Sequence, residues 1–204
     1  NAWQGIVRPQ KFPDSYLPPY DMPGWTLPYQ MGVKVNVAHS PLEANLTPIE
    51  KAIPAAGKVA SAGYAYLLSP TVNNSFIAVN RVLDKGGEVF LAKEPLKVGG
   101  KSYPPGTRVV LSKSISRSFM DSLAEELSLD IGGTGNRIGS TLKLNKLKVA
   151  LYKSWVANMD EGWTRWLLEQ FEFPFKSIHD AGIKAGKLKE RIDVLIFAAQ
   201  GTNS

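Results

Sequence analysis

Cysteine is absent from the 204 residues, and histidine occurs twice, at His39 and His179. The first absence rules out disulfides, thiolate metal sites and a cysteine nucleophile. It leaves cytosol and periplasm equally open. No apolar stretch approaches the roughly 20 residues that cross a bilayer, so no membrane span is expected. There is no Gly-x-Ser-x-Gly segment to place a serine on a strand-to-helix elbow. Nor does either histidine have a glutamate three residues later, as a His-x-x-Glu zinc pair requires. His39 and Glu43 are four apart, but Pro41 between them breaks the helical geometry that would align them. His179 with Asp180 reads as the opening of a helix whose first N–H groups the aspartate accepts.

Charge is also less informative than it looks. Twenty-four Lys and Arg against 18 Asp and Glu leave a net charge of +6. The bases are scattered, however. Lys143, Lys146, Lys148 and Lys153 stand among apolar residues, and Lys184, Lys187, Lys189 and Arg191 stand with Glu190 and Asp193. These are solvated faces without a nucleic-acid-binding motif, so no nucleic-acid partner is expected.

Residues 1–57 hold most of the fourteen prolines and read as an extended, loop-rich arm. Val33 to Val37 alternates as a short strand. Trp3, Tyr16, Tyr20, Trp25 and Tyr29 are costly in water and are expected to clamp this arm onto a neighbouring surface.

Residues 58–130 read as a first α/β unit. Tyr64 to Leu68 is a short apolar strand, and Thr71 to Lys85 is a helix with Val72, Phe76, Val79 and Leu83 on one face. Gly86-Gly87 stops it, and Glu88 to Ala92 is the next strand. That order predicts a parallel pair with a right-handed crossover. Gly99-Gly100 between Leu96-Lys97-Val98 and Lys101-Ser102-Tyr103 predicts an inserted hairpin. Thr107 to Leu111 is a further strand. Phe119, Met120, Leu123 and Leu127 mark a helix with Asp121, Glu125 and Glu126 outside.

Residues 131–146 begin glycine-rich and read as a linker; an anion nest at Gly132 to Gly135 is the weaker alternative. Residues 147–204 repeat the theme. Lys148 to Tyr152 is a strand, and Asp160 to Gln170 a helix with Trp163, Trp166, Leu167 and Phe171 on one face. Phe173 to Phe175 enters a short strand, and Asp193 to Phe197 reads as a buried one. The whole predicts an α/β fold: a flavodoxin-like, doubly wound, mostly parallel sheet of two units, with the arm and the hairpin added. A start at Asn1-Ala2-Trp3 without Met suggests a fragment or processed product. The few residues after Phe197 suggest that the second unit is truncated.

The loop after the strand ending at Tyr152 is the main candidate site, because open α/β sheets bind ligands beyond the carboxyl ends of their strands. Lys153, Ser154, Trp155, Asn158, Asp160 and Glu161 converge there, either as a ligand pocket or as capping and packing groups. Asp160 and Glu161 are sequence neighbours, about 100° apart on a helix, and make a poor acid/base couple.

Two stretches carry a family resemblance. One is Tyr20-Asp21 with Trp25-Thr26-Leu27-Pro28 and Met31-Gly32-Val33. The other is Tyr152-Lys153, Trp155 and Met159 through Trp166. Both resemble the region that follows the catalytic domain in large bacterial zinc carboxypeptidase-like proteins. The resemblance spans roughly residues 9–197. It implies an α/β fold similar to class I glutamine amidotransferases, an exported (periplasmic or secreted) parent hydrolase, and zinc only in that parent's catalytic domain. None of the family's zinc ligands or its catalytic glutamate has a counterpart here, so no cofactor and no catalytic residue is assigned to this chain. The implied role is a non-catalytic accessory domain whose partner is the parent's catalytic domain. The alternative is a module binding a small ligand, glycan or peptide through residues 153–161.

Overall fold

The computed structural model describes residues 53–199 continuously, with isolated positions between 36 and 51. The arm expected over residues 1–57, with its strand at 33–37, therefore lies mostly outside the described residues. The chain divides into units Asn1–Lys51 and Ala52–Ser204, and every element named here belongs to the second.

That unit is α/β and contains two main sheets. Strands β1 (Ala65–Leu68), β2 (Val89–Ala92), β5 (Arg108–Leu111), β6 (Gly132–Thr134) and β7 (Thr141–Leu144) form the first, in the order β6-β1-β5-β2-β7. All its pairings are antiparallel. A mostly parallel sheet was expected, and this half corrects it. Helix α1 (Asn74–Asp84) does link β1 to β2, and the two strands point the same way. However, β5 lies between them and runs against both. The strand–helix–strand order was legible; the strand that later slots into the gap was not.

Alternation of side chains gives this sheet two different faces. Tyr66, Leu68, Val89 and Val110 meet Ala78, Val79 and Val82 of α1 and Met120, Leu123 and Ala124 of α2 (Arg117–Glu126). The opposite face, with Ala65, Leu67, Val109 and Leu111, is covered by Leu96, Val98 and Tyr103 of the hairpin β3 (Leu96–Val98) and β4 (Lys101–Tyr103). Gly99 and Gly100 both take positive φ, as a two-residue type I′ turn demands. Helix α2 starts on Ser116, whose side chain accepts from the Phe119 N–H. In α1 the inward stripe is Ser75, Ala78, Val79 and Val82. Of the expected stripe, Val79 is buried, Phe76 and Leu83 face the junction with the second sheet, and Val72 is exposed.

The segment read as a linker supplies two strands of this sheet. Glycine is required there by close approach. A Cβ on Gly132 would overlap the Tyr103 hydroxyl, and one on Gly133 the Ser61 carbonyl oxygen.

The second sheet is parallel. It contains β8 (Val149–Tyr152), β9 (Phe175–Ile178) and β10 (Val194–Ile196), in the order β10-β8-β9. Helix α3 (Met159–Gln170) joins β8 to β9, and the short α4 (Asp180–Lys184) and α5 (Leu188–Arg191) carry the chain back across β8 to β10. The final strand was expected to be buried on both faces. It is an edge strand, with Val194 exposed.

The two sheets are joined through α1 and the end of α3. Arg81 donates to Glu126 at 2.8 Å and forks onto Glu172 at 2.7 and 2.8 Å. These bonds raise the arginine's pKa, and the Arg81 hydrogen bond holds the Glu172 carboxyl below the usual carboxylate range. Asn80 donates to the Phe171 carbonyl at 2.8 Å, and Phe76 meets Phe173 with ring centroids 6.4 Å apart.

Candidate functional site

In the second sheet the chain leaves β8 toward β9 and then recrosses to β10 on the other side. Connections that diverge in this way open a crevice at the carboxyl ends of the strands where the direction reverses. Here the direction reverses between the ends of β8 and β10, which continue into residues 153–158 and 197–199. The Asn158 amide donates to the Ala199 carbonyl at 2.8 Å, and the Tyr152 and Phe197 rings stand 5.1 Å apart.

The six candidate residues separate into two groups. Asn158 caps α3, its side-chain oxygen accepting from the Asp160 and Glu161 N–H groups at 2.8 and 3.2 Å. Ser154 donates to the Val156 carbonyl at 2.6 Å and shapes the loop. Glu161 points inward, buried, and pairs with Arg165. Asp160 sits in the exposed first turn of α3, favourable toward the helix dipole. Of the six, Lys153, Trp155 and Asp160 are exposed, the first two in the loop that leaves β8. The Lys153 N–H donates to the Ile178 carbonyl at 2.9 Å, which continues the β8–β9 pairing.

The structure adds three residues to this set. His179 stacks on Trp155 with ring centroids 5.0 Å apart and planes 16° from parallel. Its Nδ1 lies 2.8 Å from the Lys153 carbonyl oxygen, which can only accept, so Nδ1 carries the proton. Tyr152 donates to the Asp180 carboxylate at 2.5 Å; that bond, with partial burial, raises the phenol's pKa. His179 and Asp180 follow β9, whose Ile178 pairs with Tyr152. Parallel register would have brought them here, had β9 been recognised as the neighbour of β8. The result is a flat aromatic platform, the Trp155 indole 81% exposed, beside a lysine and a tyrosine–aspartate pair.

Helix α3 is inverted. Its sheet-facing positions include Glu161, Thr164, Arg165 and Leu168, with Arg165 donating to Ser177 at 3.0 Å and lying 5.4 Å over the Phe175 ring. Met159, Trp163, Trp166 and Leu167 are all exposed, Trp163 at 63%. Of the apolar stripe expected from the sequence, Trp163, Trp166 and Leu167 thus face outward, while Phe171 at the helix end is half-buried. The two indoles meet edge to face at 6.0 Å. Exposed carboxylates at Asp160 and Glu169 border the stripe, while the helix's one cation, Arg165, is tied to Glu161.

Among the described residues, no three His, Cys, Asp or Glu side chains gather as a metal site. No helix among them is long and apolar enough to cross a membrane. No protein-family model matches the chain, and neither the curated proteins nor the solved structures contain a match.

Proposed function

We propose that this chain is a non-catalytic accessory module that docks, through the outward face of α3, onto the catalytic domain of a zinc carboxypeptidase-like hydrolase. The observation that carries this reading is the inversion of α3. Two tryptophans, a methionine and a leucine on one exposed stripe form a contiguous apolar patch of the kind that marks an interface. Its acidic border favours a partner surface that is apolar at its centre and basic at its rim. The identity of the partner rests on the resemblance of the segments 20–33 and 152–166. From the same resemblance follow an exported parent, zinc confined to the catalytic domain, and a doubly wound, amidotransferase-like character for the sheet β10-β8-β9.

Reading the encoding frame beyond both ends tests the parentage; a His-x-x-Glu domain upstream is expected. Mixing that domain with this chain should shift the tryptophan emission to shorter wavelength and yield a 1:1 complex by ultracentrifugation. Paired Trp163→Ser and Trp166→Ser substitutions should abolish it. Self-association of this chain through α3, or a complex indifferent to those changes, would overturn the proposal.

The Trp155–His179 platform favours a second reading, a glycan or peptide site at the crevice. A flat exposed indole accepts the weakly polar face of a sugar or an aromatic side chain. In a fluorescence titration with oligosaccharides and peptides, Trp155→Ala should weaken binding about tenfold, or about 1.4 kcal/mol. Unchanged affinity would remove this reading.

A further inference from the structure

Between the two sheets lies a cavity of about 430 Å³, within the usual range of about 300–1,000 Å³ for small-molecule sites. Its walls come from α1, β2, β5, the 144–147 segment, the end of α3 and β10, and they are mostly aliphatic and aromatic. One wall residue does not belong in such a setting. Arg108 is only 7% exposed, and among the described residues it forms no ion pair. Its nearest polar partner is the Ser75 hydroxyl, at a long 3.5 Å, and its guanidinium lies 4.0 Å over the Phe76 ring. Burial depresses its pKa, and among the described residues no anion offsets the loss of water.

Beyond the Ser75 contact, the guanidinium N–H groups have no hydrogen-bond partner among the described residues, and Arg108 lines the cavity. The other charges at the cavity, Lys146 and Asp84, neutralise each other at 2.5 Å. Among the described residues, a single uncompensated cation therefore lines an apolar chamber. As a purely structural element an unpaired buried arginine is costly, and an aliphatic residue of similar size would pack as well. The planar fork of a guanidinium matches a carboxylate through two parallel hydrogen bonds.

We propose that this cavity binds a small amphipathic carboxylic acid, its carboxylate on Arg108 and its apolar body against Phe76, Leu91, Leu144, Leu147, Phe173 and Ile196. One unpaired cation fits a monoanion better than a phosphate ester, and the walls select a hydrocarbon or aromatic body. The site is separate from the α3 face and stands whether or not that face docks a partner.

Calorimetric titration of the full chain with decanoate, decanol and decyltrimethylammonium tests it. Decanoate is expected to bind at least tenfold more tightly than decanol, and the cationic amphiphile not at all. Arg108→Met, which keeps the volume and removes the charge, should erase the preference for decanoate without lowering the unfolding temperature. Val194→Trp, which fills the chamber from the edge strand and leaves Arg108 in place, should block decanoate and serves if the first variant does not fold. Equal affinity for acid and alcohol, a preference that survives Arg108→Met, or no binding of decanoate to the wild-type chain would each overturn the proposal.

Discussion

The antiparallel half, residues 65–144, and the parallel half, residues 149–196, bury their apolar side chains in opposite ways. In the first, Leu67, Val82, Val89, Val110, Met120 and Leu123 are sealed inside, and α2 turns Asp121, Glu125 and Glu126 to solvent. In the second, few hydrophobic residues are fully buried, among them Ala150, Leu151 and Ile178. There an ion pair faces the sheet while tryptophans face water. Both halves obey the same helical period. A half that buries its apolar stripe carries its own stability, whereas one that displays it leaves that area in water.

Substitutions that sharpen this contrast should fall in a defined order. Leu123→Ala empties a sealed site in the first half and should cost about 2–5 kcal/mol in chemical denaturation. Gly133→Ala should come next, at about 1–3 kcal/mol, because the added methyl meets the backbone oxygen of Ser61 and cannot be relieved by a side-chain rotation. Glu172→Gln, at the joint between the halves, should cost less than about 1 kcal/mol, since the pair with Arg81 is partly exposed and screened. Its signature is pH dependence. The carboxyl is held below its ordinary value of 4.5, so its contribution is complete above that pH and fades as pH falls through the lower folded value. The variant should lose less stability than wild type over that acid range. Trp163→Ala should come last, within about 0.5 kcal/mol despite removing the largest side chain, because an exposed ring contributes little to folding. A Trp163→Ala loss as large as that of Leu123→Ala would erase the distinction between the halves.

What could be read from the sequence follows how local its physics is. The hairpin at Gly99-Gly100 was legible because both turn positions need positive φ, a demand written in two adjacent letters. The helix over 159–170 was legible because Trp163, Trp166 and Leu167 repeat at the helical period. The period defines a stripe without saying which way it faces, and α3 turns Trp163, Trp166 and Leu167 of that stripe to water. The order of the first sheet depends on β5 returning between β1 and β2, a pairing between residues far apart in the chain. Gly132 and Gly133 hid a strand because glycine leaves no alternation to read. At the candidate site, Trp155 was visible as part of a loop after a strand. His179 was not, since it reaches the platform only through the pairing of β9 with β8. Arg108 in Thr107-Arg108-Val109-Val110-Leu111 looked like one more strand residue, and only the junction of two sheets gives it a chamber to face.

Two methionines offer the most direct test of the inverted helix. Met120 lies fully buried in the first half, at 0% exposure, and Met159 opens the outward stripe of α3, at 77%. Dilute peroxide oxidises exposed thioethers first, and peptide mass spectrometry can follow each site separately. With the isolated chain, rapid conversion of Met159 to its sulfoxide is predicted while Met120 stays reduced. Equal protection of both would mean that α3 buries its apolar face after all, and the proposed docking surface would be lost with it.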